Sequence, residues 1–220
     1  MPRKEKEDVK QKILDTAEVL FASRGFDATG IDLIAKTAGI TKSLIYYYFK
    51  SKDEILTALF DIFVKKSVAM KKKIVDIWMA EPTLGVDKII RNYILPFMME
   101  NKNIIKIAFT ESIKDVDDVP HLNIFKFFDQ NFNASYEVAE KLGLKAEKEQ
   151  EALITGFFMF FAPLFSFVIF SDEWCDYYKT DMKTVSSLFA DSIGKLYSAF
   201  AKAQIQTITL EEMLKNRLID

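Results

Sequence analysis

The short stretch from Ala38 to Lys52 constrains the fold most, because it contains closely spaced signals for a helix end and two helix starts. Gly39 supplies a turn after one helix, and Thr41 is a natural N-cap for the next. Ile45 and Phe49, four residues apart, fall on one face of that next helix and predict its buried side. Two short helices joined by a glycine-centred turn are therefore expected here.

The helix that follows this stretch carries its own start signal. Ser51 and Glu54 stand at the spacing of a capping box, in which the serine hydroxyl accepts from the third helical amide and the glutamate reaches back to the cap. Apolar residues then recur at helical spacing to about residue 79. Upstream, a first helix is predicted over residues 7–24 and ended by Gly25, and a second, short helix precedes the glycine-centred turn.

Few strand signals interrupt this helical pattern. The 220 residues include only seven glycines and five prolines, half of the chain is apolar, and long alternating runs are missing. An all-α fold with a large core is expected. Pro96 and Pro163 fall within helical patterns and should kink them. The further helices are predicted at about 84–101, 103–115, 121–142, 147–170, 181–205 and 209–218.

Charge is unevenly distributed along the chain. Residues 1–52 hold ten Lys and Arg against seven Asp and Glu, whereas the whole chain has a net charge of −2. A mildly basic head on an acidic body fits a nucleic-acid-binding domain joined to a second domain. The single cysteine, Cys175, rules out a disulfide framework and is consistent with a reducing, cytoplasmic location. The charged N-terminus is not of the secretory type.

Two helices joined by a glycine-centred turn match the helix-turn-helix arrangement, in which the second helix enters the major groove of DNA. At the N-terminal end of that helix, Lys42 can donate to guanine and Leu44 can pack on a thymine methyl group. Tyrosine hydroxyls and Lys52 suit phosphate oxygens. The alternative is an ordinary helical hairpin with solvated lysines and core tyrosines.

A series of segments keeps a fixed order, spacing and residue type through the first part of the chain. They are Ile13-Leu14-Asp15-Thr16-Ala17, Leu20-Phe21-Ala22, Gly25-Phe26-Asp27-Ala28-Thr29, Ile34-Ala35, Ala38-Gly39-Ile40 and Tyr46-Tyr47-Tyr48-Phe49-Lys50-Ser51-Lys52. Together they resemble the TetR family of one-component transcriptional regulators. The resemblance fades beyond residue 65, as expected where relatives bind different effectors.

The resemblance implies a homodimer whose two recognition helices read a palindromic operator, and a helical C-terminal domain that binds a small effector and dimerises. We place the DNA-binding domain at residues 1–52 and the ligand-binding and dimerisation domain at 53–220, joined through the long fourth helix. Two positions depart from the family pattern, because Asp32 would repel phosphate and Tyr48 stands where a histidine is common. By position, the residues expected to face or approach DNA are Thr29, Thr41, Lys42, Ser43, Leu44, Tyr46, Tyr48 and Lys52.

Phenylalanines are concentrated in two of the later helices. Core and dimer interface would account for most of them, but a subset can line a pocket for an apolar or flat aromatic ligand. Such a ligand, for example a fatty acyl chain, a sterol-like molecule or a drug-like compound, would be the effector. The residues predicted to line the pocket are Phe63, Phe128, Phe132, Phe158, Phe161 and Phe165.

The segment 152–170 contains no charged residue. Its length and apolarity would suit a membrane span, but acidic flanks and Pro163 within it favour a buried core or dimer-interface helix. We expect it to pair with the helix near 181–205 in the dimer and expect no contact with a membrane. The predicted interface residues are Ala152, Gly156, Val185, Phe189, Ile193, Leu196 and Phe200.

Enzyme chemistry finds little support. His121 is the only histidine, and neither a phosphate loop nor a dinucleotide fingerprint occurs. We therefore expect no catalysis, no metal and no cofactor. The hypothesis is a dimeric repressor released from a palindromic operator by a hydrophobic small molecule. The alternatives are a regulator tethered to a membrane by 152–170, and a helical carrier of small molecules that does not bind DNA.

Overall fold

A computed structural model describes residues 3–81, 83–114, 124–125, 127–132 and 149–217 of the chain. Within those ranges the regular structure is helical and no strand occurs, so the predicted all-α fold is confirmed. The chain divides into two compact units. The first comprises Met1–Lys73 with Glu100–Glu149, and the second comprises Ile74–Met99 with Gln150–Asp220. The boundary predicted after residue 52 separates a DNA-binding domain from a ligand-binding domain, whereas the two units are defined by their internal contacts. That boundary therefore stays a prediction.

Short connections join the helices from α1 to α7 and from α8 to α10. Two of them, α5 and α8, run without interruption into the next helix through a π-helical stretch, Ile90–Ile94 and Gly156–Phe161 respectively. The bounds are α1 Arg3–Arg24, α2 Ile31–Ala38, α3 Lys42–Tyr48, α4 Lys52–Ala80, α5 Val86–Ile89, α6 Leu95–Glu100, α7 Lys102–Ser112, α8 Glu149–Thr155, α9 Ala162–Tyr178 and α10 Met182–Arg217.

Glycines in the left-handed conformation end the first two helices. Gly25 has a φ of +87° directly after α1, and Gly39 has a φ of +63° directly after α2. A residue with a Cβ atom rarely adopts this backbone conformation, which explains why glycine stands at both positions. Both helix ends were predicted from the sequence and are confirmed. Ile13, Ile34 and Ile45, one from each of the first three helices, are fully buried and form the core of this three-helix head.

Side-chain caps start the next two helices. The Thr41 hydroxyl accepts from the Leu44 amide (3.3 Å), and the Ser51 hydroxyl accepts from the Glu54 amide (3.2 Å), as predicted. The return bond of the second cap differs from the expected one, since a Glu54 carboxylate oxygen accepts from the Lys50 amide at 2.6 Å. The carboxylate thereby fixes the residue before the cap, and α3 and α4 are joined by a tightly bonded corner.

The two prolines expected to kink helices each follow a π-helical stretch. Pro96 comes just after Ile90–Ile94, and Pro163 comes just after Gly156–Phe161. A proline has no amide hydrogen and its ring clashes with the carbonyl four residues earlier. Widening the preceding turn by one residue relieves that clash, so the helix continues through the proline.

Two helix boundaries predicted near the C-terminus were wrong. The helix expected to stop at residue 170 continues to Tyr178, and Lys179 ends it with a φ of 52°. The next helix then runs unbroken over Met182–Arg217, where two helices had been expected. Its start is capped by Asp181, whose carboxylate accepts from both the amide (2.9 Å) and the hydroxyl (2.7 Å) of Thr184.

The second unit packs its own core around α10. Ile90, Leu95, Ala190 and Ile193 are buried together, with half-buried apolar residues around them. The contact between α5 and α10 is close, because a Cβ added to Gly194 would lie 2.6 Å from Cβ of Asp87. Only glycine fits at that point of the crossing.

One helical segment in this unit presents apolar side chains outward. Leu153–Tyr178 is long and apolar enough to cross a membrane, as judged by length and composition alone, and only 17% of its most apolar window is buried. We refer to it as the apolar segment. The segment was predicted to be a buried core helix or a dimer-interface helix; the first alternative is wrong, because the chain does not enclose it, and the second stays a prediction. Exposed large residues on it are Ile154, Phe158, Met159, Phe170, Trp174, Tyr177 and Tyr178.

Candidate nucleic-acid interface

Helix α3 is held on one side and open on the other. Ile45 and Phe49 are buried against the rest of the head, as predicted. Lys42, Ser43 and Tyr46 are exposed, and Leu44 is half-buried. The N-terminal turn of α3 therefore presents a cation, a hydroxyl and part of an apolar side chain on a rigid support, the combination that base edges in a major groove require.

The tyrosines of α3 are placed differently from the prediction. Tyr47 has 64% of its surface exposed and Tyr46 has 48%, whereas the hydroxyl of Tyr48 is buried with no hydrogen-bond partner among the described residues. Tyr48 follows Ile45 by three positions, so it turns toward the same buried face. The assignment of Tyr48 as a phosphate contact is therefore corrected, because its hydroxyl is enclosed. The exposed ring of Tyr47 packs edge-on against that of Tyr48, with centroids 5.0 Å apart.

Lys42, the predicted base reader, is paired within the chain. Its Nζ lies 2.9 Å from one carboxylate oxygen of Asp32 and 3.0 Å from the other. The hydrogen bond and the negative charge of Asp32 both raise the pKa of Lys42, so the side chain is a full cation. Asp32 thus contacts the recognition helix from the first turn of α2.

Thr29 has a structural role. The side chain is fully buried, and its hydroxyl donates to the carbonyl oxygens of Gly25 (2.8 Å) and Leu20 (3.3 Å). Its predicted approach to DNA is corrected on this ground, because the hydroxyl is enclosed and already bonded. It fixes the turn between α1 and α2.

Lys52 also bonds within the head. Its Nζ donates to the carbonyl oxygen of Phe26 at 2.7 Å and lies 4.1 Å from the centroid of the Phe26 ring. A cation over an aromatic face and a charge-assisted hydrogen bond together fix the start of α4 against the loop that follows α1. A phosphate contact by Lys52 would have to share or replace these bonds.

The loop after α1 is tied a second time, from α7. Nζ of Lys114 lies 2.7 Å from a carboxylate oxygen of Asp27 and 2.6 Å from one of Glu111. Glu111 is buried, and partial burial of Lys114 opposes its charge, but the two carboxylates raise the pKa of Lys114 above its usual value. Since α1 and α7 also pack together, this helix supports the head through both apolar and ionic contacts.

The phenylalanines predicted to line a ligand pocket fall into separate groups. In the first unit, Phe63 stacks on Phe127 with ring centroids 4.7 Å apart, and Phe128 lies 5.5 Å from Phe132. In the second unit, Phe161 and Phe165 pack at 4.2 Å. Phe158 has 59% of its surface exposed, so its assignment to an enclosed pocket is corrected.

A polar cluster lies beside the aromatic residues of the first unit. Lys71 of α4 donates from Nζ to the carbonyl oxygen of Asn131, and the Asn131 amide donates to the hydroxyl of Ser67 (3.1 Å) and to the carbonyl oxygen of Phe127 (2.9 Å). Burial lowers the pKa of Lys71 to about 8. This cation was not foreseen, because nothing in the sequence distinguishes Lys71 from its neighbours Lys72 and Lys73.

A cavity of about 530 Å³ opens in the second unit between α5 and α10. Two carboxylates and an ammonium group lie on its walls, and none of the six predicted phenylalanines does. The lining residues are Asp87, Asp191, Gly194, Lys195, Ser198 and Ala199. In the parts of the chain that the structure describes, no group of three or more His, Cys, Asp or Glu is placed to hold a metal ion.

The predicted dimer residues divide between the inside and the outside of the second unit. Ile193 belongs to the buried core, so its assignment to an interface is corrected. Phe189 is half-buried and its ring stacks on that of Phe167 with centroids 4.2 Å apart, and its assignment stays a prediction. Leu196 is exposed, while Gly156 and Val185 are half-buried. The side chains of Ala152 and Phe200 lie outside the described residues.

The sequence of the head is similar to that of a known family. A sequence model described as bacterial regulatory proteins, tetR family, matches residues 13–59. The chain is 29% identical over 100 residues to the transposon Tn10 TetC protein of Escherichia coli, covering 44% of this chain and 48% of that protein. It is 47% identical over 47 residues to the biofilm operon icaADBC HTH-type negative transcriptional regulator IcaR of Staphylococcus aureus, covering 21% and 25%. The chain thus spans about half, or less, of the curated relatives it matches.

The likeness to solved structures extends further along the chain. The transcriptional regulator FadR of Bacillus subtilis, solved in complex with stearoyl-CoA, superposes with a TM-score of 0.54 at 18% identity. That match covers 84% of this chain and 96% of the other. At such low identity the likeness concerns the fold, and it extends the similarity beyond the head into the helical body.

Proposed function

We propose that the chain is a member of the TetR family of bacterial regulatory proteins, whose sequence model matches residues 13–59, and that it is a transcriptional regulator that reads duplex DNA with α3. One observation carries the proposal: α3 is anchored by the buried residues Ile45 and Phe49, while the side chains on its opposite face are exposed. A rigid helix with an open polar face is suited to a major groove.

Contacts to bases and contacts to the backbone would come from different parts of α3. Lys42, Ser43 and Leu44, at the N-terminal turn, are placed for base edges, where an ammonium can donate to guanine O6 and N7. Tyr46 and Tyr47 are exposed further along the helix, and their hydroxyls can donate to phosphate oxygens. Thr41 mainly holds the helix start, since its hydroxyl accepts from the Leu44 amide.

Selection from a pool of randomised duplexes tests this reading, followed by affinity measurements at several salt concentrations. We expect sequence-specific binding that weakens with salt. Lys42→Gln should lower the preference for the selected sequence by about tenfold, and Tyr47→Phe should weaken all duplexes by a smaller factor. Tyr48→Phe is the matched control and should leave binding unchanged. A wild-type chain that enriches no sequence contradicts the proposal and favours the small-molecule carrier.

We further propose that the regulator acts as a homodimer on a palindromic operator. The support is the apolar segment, whose large outward side chains are left uncovered by the single chain. A second copy related by twofold symmetry would bury the same residues from both chains, which suits an obligate interface. Two recognition helices would then meet two half-sites about one turn of DNA, or about 34 Å, apart.

Repression relieved by an apolar small molecule is the form of regulation we propose. IcaR is a negative regulator, the structural relative FadR was solved with stearoyl-CoA, and aromatic side chains cluster in both units of this chain. Stearoyl-CoA, stearate and CoA alone are the first probes. An acyl compound should raise the melting temperature and weaken operator binding, whereas CoA alone should do neither. An acyl compound that strengthens operator binding would instead indicate an activated or co-repressed system.

A membrane-tethered regulator is the second candidate, and the length and exposure of the apolar segment favour it. Flotation with lipid vesicles separates the two readings. If the chain is a dimer, the purified protein should stay in the aqueous fraction without detergent. Its measured mass should then equal that of two copies. Flotation of the chain with vesicles would support the tether and remove the main support for the dimer.

A further inference from the structure

The contact between Asp32 and Lys42 joins the two helices of the DNA-binding motif at the point where α3 begins. Both oxygens of the carboxylate lie within 3.0 Å of the lysine Nζ. The side chains are 77% and 49% exposed respectively. An exposed pair of this kind contributes little to folding stability, so stability does not explain why a carboxylate stands on a surface that approaches DNA.

We propose that Asp32 is a specificity-determining residue, which keeps the ammonium group of Lys42 from pairing with phosphates and holds it for base edges. This inference rests on the proposed DNA-binding function. A free lysine at the edge of such a surface would be drawn to the nearest phosphate, where it would add affinity for every sequence alike. A carboxylate partner competes for that ammonium and also repels the phosphate itself.

The groups around the pair support this role. The hydroxyls of Thr41 and Ser43 lie 3.1 Å apart and bond to each other, and Thr41 also accepts from the Leu44 amide. They are thus engaged in fixing the helix start. Besides Asp32, Tyr46, one turn further along α3, also interacts electrostatically with Lys42. The position of the Lys42 ammonium is therefore set by Asp32 rather than by its own helix.

A purely local role for Asp32 makes a different prediction. α2 begins at Gly30 with no side-chain cap, and an acidic residue in its first turn interacts favourably with the helix dipole. If that were its only role, removing the carboxylate would change the melting temperature but would not change the salt dependence of DNA binding.

The test compares the native chain with Asp32→Asn, Lys42→Gln, the double variant and Asp61→Asn. Asp61 is exposed on α4 and controls for loss of one negative charge. Each protein is titrated with the duplex selected above and with a scrambled duplex of equal length, at several salt concentrations. Asp32→Asn should bind the scrambled duplex about threefold more tightly at low salt, and the slope of log K against log salt should steepen by about 0.9, the value for one added phosphate contact.

The double variant isolates the route by which Asp32 acts. With Lys42→Gln present, Asp32→Asn should no longer steepen the slope, and Lys42→Gln alone should leave the slope on the scrambled duplex unchanged. Asp32→Glu, which can restore the pair, should restore the native slope. The inference is overturned if the slope of Asp32→Asn equals that of Asp61→Asn, or if it steepens equally in both backgrounds.

Failure of the proposed function gives a different pattern. In that case the native chain binds neither duplex in a salt-sensitive way. If Asp32→Asn does not fold, the single variant Lys42→Gln still decides, because a shallower slope on the scrambled duplex would show that Lys42 already contacts phosphate.

Discussion

The three-helix head and the apolar segment differ in how far the chain itself covers their apolar side chains. In the head, Ile13, Ile34 and Ile45 are fully enclosed by the chain itself. In the apolar segment, Phe158, Trp174 and Tyr177 face outward, and only 17% of the most apolar window is covered. The head encloses its own core as a single copy, whereas the large side chains of the segment are left uncovered, as on a surface that contacts a partner. The proposed DNA-binding surface thus lies on a self-contained core, and the proposed dimer surface depends on a second copy to bury its apolar side chains.

The largest effect is expected from charges placed on the apolar segment and on α10. Phe158→Asp combined with Leu196→Asp would bury unpaired carboxylates in the proposed interface, at a cost of several kcal/mol. The dissociation constant of the dimer should therefore rise by more than about a hundredfold. Light scattering after size exclusion measures the mass directly. Val19→Asp is the matched control, because Val19 is 57% exposed on α1, outside the proposed interface.

The outcome separates the two ways of covering the segment. A double variant that stays dimeric would show that the copies meet through another surface. A native chain that is already monomeric in aqueous solution would contradict the proposed dimer. A lipid membrane would then be the remaining candidate for covering the apolar segment.

The packing within each unit can be compared through two glycines. Gly194→Ala should destabilise the second unit by about 1–3 kcal/mol, because the added methyl would meet Asp87 at 2.6 Å. Gly30→Ala is the control, since nothing lies within 4 Å of a Cβ there and its φ is −93°. Urea unfolding of both variants measures the difference. Equal free energies of unfolding would show that the close α5–α10 crossing relaxes without cost.

The half-buried ammonium group of Lys71 in the first unit predicts an unusual pH dependence of stability. The pKa of Lys71 is about 8 in the folded chain and near 10.5 when unfolded. Between those values the unfolded chain binds more protons, so this residue's contribution to stability rises with pH. Lys71→Met should therefore stabilise the chain at pH 7 by roughly 1–2 kcal/mol, with the gain shrinking between about pH 8 and 10.5. Lys72→Met, at an exposed neighbouring residue, is the matched control, and chemical denaturation of both variants at several pH values measures the difference.

The smallest effect is expected from the tie between the loop after α1 and α7. Asp27→Asn removes one exposed partner of Lys114, while the bond from Lys114 to Glu111 remains. The loss should be at most about 1 kcal/mol, because partly exposed ion pairs contribute little. Thermal unfolding of this variant and of Asp61→Asn, as a control for the loss of one negative charge, measures the loss of stability. A loss above 2 kcal/mol would show that the head depends on α7 more than on its own core.

The sequence predicted the head well because its signals are local. Gly39, Thr41 and Ser51 each determine a backbone feature within four residues, and each acts as expected. Side-chain environments were harder to predict. The bond from Lys52 to Phe26 joins residues that are distant in sequence, so no local pattern indicates it. The hydroxyl of Tyr48 was expected on an exposed face, but Tyr48 follows Ile45 by three positions and turns toward the buried side of α3.

The body was predicted less well for the same reason. Apolar periodicity shows that α10 has apolar positions, but it does not say which of them pack within the chain and which face outward. Ile193 lies inside and Leu196, three residues later, lies outside. The π-helical stretches before Pro96 and Pro163 were also unforeseen, since a proline in a helical pattern is equally compatible with a kink and with a widened turn.

The mass of the complex formed with the selected duplex shows whether two copies of the chain read DNA together. Light scattering of the native chain with that duplex, in buffer without detergent, gives the number of chains per duplex. We expect two chains on a duplex whose half-sites are centred about one helical turn apart. A single chain per duplex, or a chain that binds vesicles and no duplex, would contradict this expectation.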